Sequence, residues 1–312
     1  MIIECEKCKA NYKLDENITA KSSFRVRCAN CSYVFTVYKT PPQDTPYLLR
    51  DEVIPPPDNS GPQKIISISN QKGGVAKTST CLNLGMSLSL LKYRILMIDF
   101  DVQSNLTITL GYKNTKSFFD VIQSNTNGMS GVIQKTRYPN FWLLPSNSKM
   151  ALLPQKKLNG SNFGYLLRDR LNLMQDRFDY ILIDTPPSLE FFTLNALIAS
   201  DLVIIPSQCE YLSTYGVSQV EKIIGVIKEK ADKDLDYKVL ITMYDQKNTS
   251  SRVICDKLQS KYKEKTFNTV IGFDAKIQES QIVNMPVIHY DKKSSSAQQY
   301  LKLAEEILGV SK

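Results

Sequence analysis

Eleven consecutive residues, Asn70-Gln71-Lys72-Gly73-Gly74-Val75-Ala76-Lys77-Thr78-Ser79-Thr80, bring two glycines, two lysines and a run of hydroxyls into one short stretch. Between a strand and a helix such a stretch cradles phosphate: loop N–H groups and the positive end of the helix face the anion. Lys77 then reaches the β- and γ-phosphates and Thr78 holds Mg²⁺, with Lys72 to Ser79 (Lys72, Gly73, Gly74, Val75, Ala76, Lys77, Thr78 and Ser79) forming the nucleotide-binding set. The ordinary spacing Gly-x4-Gly-Lys-[Ser/Thr] is not met, because Gln71 and Ala76 stand at its two glycine positions. A chance Gly-Gly turn is the alternative, and the flanking strand and helix patterns weigh against it. Carboxylates end two apolar runs, Asp99 and Asp101 after Ile95-Leu-Met-Ile98 and Asp184 after Tyr180-Ile-Leu-Ile183. Alone, each could do no more than cap a turn.

A second chemistry sits at the N-terminus. Cys5-x2-Cys8 and Cys28-x2-Cys31 are separated by nineteen residues, the spacing of a four-cysteine structural zinc site. Two disulfides, or a redox Cys-x2-Cys, are the alternatives; a reducing compartment disfavours the first, and the second needs no second pair. A segment this short buries too little apolar surface to fold alone, so zinc supplies most of its folding free energy. Tyr12, Val26, Tyr33 and Phe35 are the candidate core. Cys81, Cys209 and Cys255 are scattered and read as buried, and His289, the single histidine, as structural.

The elements that must position these groups are legible as alternation. Ile65–Ser69, Ile95–Phe100, Trp142–Pro145, Tyr180–Asp184, Leu202–Pro206 and Val239–Met243 read as strands. Helical spacing fills Lys77–Leu91, Tyr165–Met174, Phe191–Ile198, Val217–Ile227 and Ser296–Leu308. The fold class is α/β, a mostly parallel doubly wound sheet with ligand loops at the carboxyl ends of its strands, preceded by the small zinc ribbon. Half of the 14 prolines lie between Tyr38 and Gln63, which predicts three parts: ribbon 1–37, Pro-rich linker 38–63 and large domain 64–312. Within the linker, Tyr47-Leu48-Leu49 reads as apolar residues in a tether.

Of 312 residues, 42% are apolar and 22% charged, so most of the chain folds. Apolar runs fall well short of the roughly 18 residues that span a bilayer, and the start of the chain lacks signal-peptide features, which predicts a cytoplasmic protein without a membrane partner. The net charge of +8 falls on residues 64–312, with 31 basic against 23 acidic side chains. A basic large domain suits a polyanionic partner, though many enzymes share it.

The loop resembles the deviant phosphate loop of the ParA/MinD family of ATPases, usually KGGVGKT, whose leading lysine corresponds to Lys72. Ile95 to Asn105 resembles the family's LLIDLDPQGN, with Val102 and Ser104 in place of Pro and Gly, and Tyr180-Ile-Leu-Ile-Asp184-Thr-Pro-Pro-Ser188 its metal-side strand. Ile205 to Glu210, Thr242 to Asp245 and Pro286 to Asp291 are similar to ParA-type rather than MinD-type stretches. The resemblance implies a P-loop ATPase that binds ATP and Mg²⁺ and forms an ATP-dependent homodimer. In it Lys72 acts across the dimer interface, Asp101 orients the attacking water, Asp99 supports the metal shell with Thr78, and Asp184 reaches Mg²⁺ through water. Lys72, Lys77 and Asp101 are thus the catalytic candidates, and turnover is expected to be slow without the partner. It further implies nonspecific DNA binding through Lys247, Arg252 and Lys276, nucleoid association in the ATP state, and a ParB-like adaptor for partitioning a chromosome, plasmid or other cargo. The head resembles a bacterial zinc-ribbon module. Two other readings are a nucleotide-switched regulator that binds nucleic acid through the ribbon, and a metabolic ATP-dependent enzyme of the same fold, for which no substrate-pocket residues stand out.

Overall fold

A computed structural model describes residues 2–5, 7–14, 23–38, 63–124, 128–155, 163–231 and 233–310. Nearly all of the linker, with Tyr47, Leu48 and Leu49, lies outside the described residues.

The head is two antiparallel hairpins. β1 (Ile2–Glu4) pairs with β2 (Asn11–Lys13), and β3 (Ser23–Arg27) with β4 (Val34–Tyr38). Each cysteine pair occupies the same tight turn. In the first, Cys5 N–H donates to Ala10 O and Lys9 N–H to Cys5 O; in the second, Cys28 N–H donates to Tyr33 O and Ser32 N–H to Cys28 O. Lys9 and Ser32 both take the left-handed conformation that this turn requires, with φ of 61° and 57°. The small core is Ile3, Phe35 and Val37, flanked by partly buried Tyr12, Phe24 and Val26. Tyr33 departs from expectation: its ring stacks on Phe35 at 6.4 Å but stays 40% exposed, because it lies at the turn where β4 begins.

The large domain is built on seven strands: β5 (Lys64–Ile68), β6 (Ile95–Asp99), β7 (Gln134–Lys135), β8 (Phe141–Leu144), β9 (Tyr180–Asp184), β10 (Leu202–Gln208) and β11 (Asp236–Thr242). Their spatial order is β11-β10-β5-β9-β6-β8-β7, parallel throughout except for the edge strand β7. Ten helices accompany them among the described residues: α1 (Lys77–Leu90), α2 (Asn105–Thr109), α3 (Phe118–Gln123), α4 (Leu166–Asn172), α5 (Phe191–Ala199), α6 (Ser213–Ala231), α7 (Thr249–Tyr262), α8 (Ala275–Ile282), α9 (Val287–Tyr290) and α10 (Ser295–Ile307).

Helices on both faces explain why the strands are apolar at every position rather than at alternate ones. Met97 and Leu182 pack on the face covered by α1 and α10, while Leu96, Ile98, Ile181 and Ile183 pack on the opposite face under α3, α4 and α5. A third cluster joins α5, α6 and α7 to β10 and β11. Helix α1 lies so close to the sheet that a Cβ on Gly85 would sit 2.4 Å from Met97 Sδ. The last helix packs on α1, with Tyr300 fully buried and its hydroxyl 3.3 Å from Thr80 Oγ1.

Strand and helix cores agree with the sequence pattern. Helix α7 does not announce itself, because it buries only Ser251, Cys255, Leu258 and Tyr262 and is otherwise polar. It is started by the Asn248 side chain, which accepts from the Ser250 and Ser251 N–H groups. Helix α6 begins at Ser213, four residues before its apolar spacing becomes regular.

Candidate nucleotide site and metal centre

The carboxyl ends of β5, β6, β9 and β10 converge on the 70–80 loop. Asn70 shapes its entry: its Nδ2 donates to Pro206 O at 2.7 Å and its Oδ1 accepts Lys72 N–H at 3.0 Å. The loop's far side is held by Gln208 Nε2, 2.5 Å from Gly74 O, and by Thr242 Oγ1, 3.1 Å from Val75 O. Gln281 of α8 donates to Ser79 Oγ at 3.0 Å. These contacts fix the loop through its carbonyls, the Lys72 N–H and the Ser79 hydroxyl.

That cavity has a volume of about 400 Å³. Gly73, Gly74, Ala76, Lys77, Thr78, Ser79 and Asp101 line one end, and Met243, Phe273 and Ile277 the other. Six of the loop residues expected to contact nucleotide therefore meet Asp101 around one space. Lys72, Val75, Asp99 and Asp184 are not part of that lining, and Lys72 is half-buried and paired with Glu210.

The ionic groups are crowded. Lys77 is buried and donates to Lys72 O at 3.0 Å; burial lowers its pKa, opposed by the nearby charges of Asp184 and Asp101. Thr78 Oγ1 donates to Asp184 Oδ2 at 2.7 Å, while the buried Asp184 Oδ1 has no protein partner. Burial, then the charge of Asp99, pushes the Asp184 carboxyl well above the usual range. An orphaned carboxylate oxygen beside the Thr78 hydroxyl is the donor set a water-coordinated Mg²⁺ requires, so these residues fit the metal.

Asp99 is fully buried and committed. Its Oδ2 accepts Thr107 N–H at 2.8 Å and Thr107 Oγ1–H at 2.6 Å, and its Oδ1 accepts Asp101 N–H at 3.2 Å. Burial pushes its carboxyl up to about 6, against those hydrogen bonds. It braces the loop that carries Asp101, whose carbonyl in turn accepts the Ser146 hydroxyl at 2.6 Å. Thr107 and Ser146 belong to the site at one remove, and nothing in their sequence spacing marks them.

Left-handed backbone recurs at the site, at Met243 with φ 53° and at two positions that precede helices. Ala76, with φ 66°, and Ser104, with φ 56°, immediately precede α1 and α2 in the left-handed region. Both are positions where the resembling motifs have glycine, and an L-residue there costs about 1–2 kcal/mol.

In the head, the sulfurs of Cys5, Cys8, Cys28 and Cys31 lie within 4.8 Å of one another, with Cys5–Cys31 at 3.6 Å and Cys8–Cys28 at 3.5 Å. A tetrahedron of thiolates at Zn–S distances of about 2.3 Å has edges of about 3.8 Å, so the four sulfurs fit zinc. The Tyr12 hydroxyl, 3.1 Å from Cys28 Sγ, holds that thiol down to about 6, on the thiolate side a metal needs.

Of the residues expected to meet DNA, Lys247 and Arg252 are exposed at the start of α7. Lys276 donates to Glu279 at 2.8 Å, and its ammonium lies 5.7 Å from the Tyr290 ring. That charge is already satisfied within the chain. Among the described residues no helix is long and apolar enough to cross a membrane.

Residues 63–237 match the AAA domain family, and residues 1–36 the zinc-ribbon domain family. Chromosome partitioning protein ParA of Caulobacter vibrioides (strain NA1000 / CB15N) is 32% identical over 256 residues, covering 80% of this chain and 96% of the relative. This chain belongs to the ParA family of ATPases. The ParA-type sequence is preceded here by a zinc ribbon. Sporulation initiation inhibitor protein Soj of Bacillus subtilis is 34% identical over 248 residues, 78% of this chain and 98% of Soj. Among solved structures, cobyrinic acid a,c-diamide synthase from Mycobacterium smegmatis, with bound ADP and magnesium, superposes with a TM-score of 0.68 at 30% identity, over 79% of this chain and 94% of that one. The mostly parallel seven-stranded sheet with its helices is the shared frame.

Proposed function

We propose that this ParA-type ATPase closes into a homodimer on ATP, binds DNA without sequence preference in that state, and is released by a ParB-like adaptor that stimulates hydrolysis, so that a chromosome, plasmid or other cargo is positioned. The observation that carries the reading is one cavity lined by Lys77, Thr78 and Asp101, with Asp184 behind Thr78.

In the reaction water attacks the γ-phosphorus and ADP leaves. Lys77 moves from Lys72 O to the β- and γ-phosphate oxygens, and the loop amides take the remaining charge. Asp101 accepts a hydrogen bond from the attacking water and fixes its line of approach. Thr78, with Asp184 behind it, would hold Mg²⁺, which would supply positive charge against the phosphates. Asp99 keeps Asp101 in place through the Asp101 N–H. Lys72 supplies an ammonium to the partner copy's phosphates, which makes dimerisation a condition of turnover. Because a slow intrinsic rate serves such a switch, hydrolysis is slow until the adaptor acts. Three parts, ribbon 1–37, linker 38–63 and ATPase domain 64–312, complete the proposal.

Light scattering with and without a slowly hydrolysed ATP analogue tests it. Wild type is expected to dimerise with the analogue; Lys72→Ala binds nucleotide but neither dimerises nor turns over; Lys77→Ala loses nucleotide; Asp101→Ala accumulates the ATP dimer. A wild type that stays monomeric with every nucleotide refutes the dimer. DNA binding through Lys247 and Arg252, with Lys276 contributing only once freed from Glu279, should require ATP, ignore sequence and fall steeply with salt.

A further inference from the structure

Where the ends of α2 and α8 meet, the chain presents exposed aliphatic side chains inside a basic rim. A Cβ on Gly111 would lie 3.5 Å from the Cβ of Asn284, so the two helix ends touch at that seam. Ile108, three residues before Gly111, is 52% exposed, and Ile282, two residues before Asn284, is 57% exposed. The turn beside β7 closes one side: Arg137 Nη2 donates to Asn284 O at 2.6 Å, and the Tyr112 hydroxyl lies 3.5 Å from Lys135 O. Lys113, Lys135 and Arg137, on the segments that make these contacts, are all exposed. No carboxylate answers them. Asp120 is the only acidic residue between positions 102 and 150, and it is committed to the helix cap it shares with Ser117. None lies between 280 and 290, and Glu279 just before that stretch already accepts Lys276 and the Tyr290 hydroxyl. Among the described residues none of the three cations forms an ion pair.

Such a surface selects its partner by two properties. The uncompensated rim calls for acidic groups, and charge of one sign steers their approach. The two isoleucines call for apolar side chains among those acids; a nucleic-acid backbone supplies the charge without them. The seam also lies over both supports of the nucleotide site. Thr107, the residue before Ile108, holds Asp99, and Gln281, the residue before Ile282, donates to Ser79 Oγ. Consecutive positions on a helix point in different directions, so in each pair one side chain serves the site and the next faces solvent.

We infer that Ile108 and Ile282, rimmed by Lys113, Lys135 and Arg137, form a docking surface for an acidic segment of a partner protein that carries an apolar stripe. A segment seated there spans α2 and α8 from outside. Through Thr107 and Gln281 it is placed to act on the carboxylate that braces Asp101 and on the phosphate loop together. Naming that partner as the adaptor that stimulates hydrolysis rests on the function proposed above; the docking itself needs neither the dimer nor DNA.

Fluorescence anisotropy on the full chain without nucleotide tests it with labelled probes: a helical peptide with leucines along one face and glutamates elsewhere, the same peptide with lysines for glutamates, a glutamate peptide without leucines, and a short DNA duplex. The leucine–glutamate peptide should bind tightest. Its affinity should fall about tenfold or more in Lys113→Glu/Lys135→Glu, where like charges then face one another. It should fall about tenfold in Ile108→Ser/Ile282→Ser, which gives up roughly half of each isoleucine side chain as covered apolar surface. A fluorescent ATP analogue should bind both variants like wild type, which shows an intact nucleotide site. Equal binding of the glutamate and lysine peptides overturns the inference, as does a double-serine variant that binds the peptide like wild type. A duplex that binds more tightly than the peptide, and is weakened only by charge reversal, makes the face a nucleic-acid surface and also overturns it. If the peptide docks as expected while the ATP-dependent dimer or DNA binding fails, the function proposed above falls and the docking surface stands.

Discussion

Replacing Asp184 with Asn should move stability in opposite directions in the empty and loaded protein. In the empty protein the Asp184 carboxyl is buried beside Asp99, with one oxygen on Thr78 and the other without a partner. An unpartnered buried acceptor costs about 1–3 kcal/mol. Asparagine removes the charge but leaves an amide in the same space, so a gain of about 1 kcal/mol, near the low end, is the reasonable expectation. For a domain of this size that raises Tm by about 2–4 °C. Loading reverses the order. At a hundred times Kd, the Mg²⁺–analogue complex stabilises wild type by about 2.7 kcal/mol. Loss of a group behind the metal's ligands typically weakens metal affinity about 10- to 100-fold. At the same concentration the variant then gains only about 1.4 to 0.4 kcal/mol. Scanning calorimetry of both proteins, empty and with Mg²⁺ and a slowly hydrolysed ATP analogue, reads the crossing directly. Equal ligand-induced shifts would remove Asp184 from the metal site, and an empty variant that melts below wild type would show that the buried carboxylate is not a burden.

The head should hold one zinc per chain, and Cys28→Ser should unfold it, since bound zinc supplies about 10–16 kcal/mol in domains of this kind; metal analysis showing well under one equivalent with the cysteines oxidised would refute this. Two buried titrations should offset one another in the large domain. His289, held down to about 4 by burial and Arg137, contributes stability that rises as pH rises from about 4 to 6.5; Asp99, pushed up to about 6, contributes stability that falls as pH rises from about 4 to 6. Each amounts to about 3 kcal/mol, and the raised Asp184 carboxyl adds to the falling limb, so His289→Phe, which keeps the stack on Tyr138, should unmask that limb in denaturant melts between pH 4 and 6, and a variant whose stability still rises there contradicts the raised Asp99 and Asp184 carboxyls. Ala76→Gly and Ser104→Gly should each stabilise the protein by about 1 kcal/mol by relieving left-handed strain; a loss on either substitution, by thermal melts, refutes strain at that position.

The strand cores and the central helices could be read from sequence because strands buried on both faces leave apolar runs, Tyr180–Asp184 ending where the pattern ends. The cysteine spacing was equally legible, since four thiolates constrain one another strongly. What sequence left hidden has a common cause: groups that act by holding another group leave no periodic trace. Thr107 and Ser146 fix the Asp99–Asp101 loop from residues with unremarkable neighbours, and Gln208, Thr242 and Gln281 restrain the phosphate loop across more than a hundred residues of chain. Helix α7 was hidden for a different reason, its buried stripe being narrow and its start set by an Asn248 cap rather than by hydrophobic spacing.

The two missing glycines acquire physical meaning only in three dimensions. On sequence alone Ala76 and Ser104 are small-for-small exchanges. Their backbones show that each sits at the left-handed hinge before a helix whose first turn carries site residues, Lys77 and Thr78 on α1, Thr107 behind Asp99 on α2. Strain placed there persists only where surrounding contacts over-determine the conformation. Those contacts are present: Gln208 and Thr242 on the carbonyls of Gly74 and Val75 beside Ala76, and Gln103 N–H on Asp101 Oδ1 beside Ser104. The phosphate loop is therefore held by side chains of β10 and β11, and the Asp101 loop by its own Asp101 carboxylate and by the Ser146 hydroxyl. Under the proposed function, a nucleotide that draws on Lys72 and Lys77 would act on a loop already tied to β10 and β11 through Gln208 and Thr242.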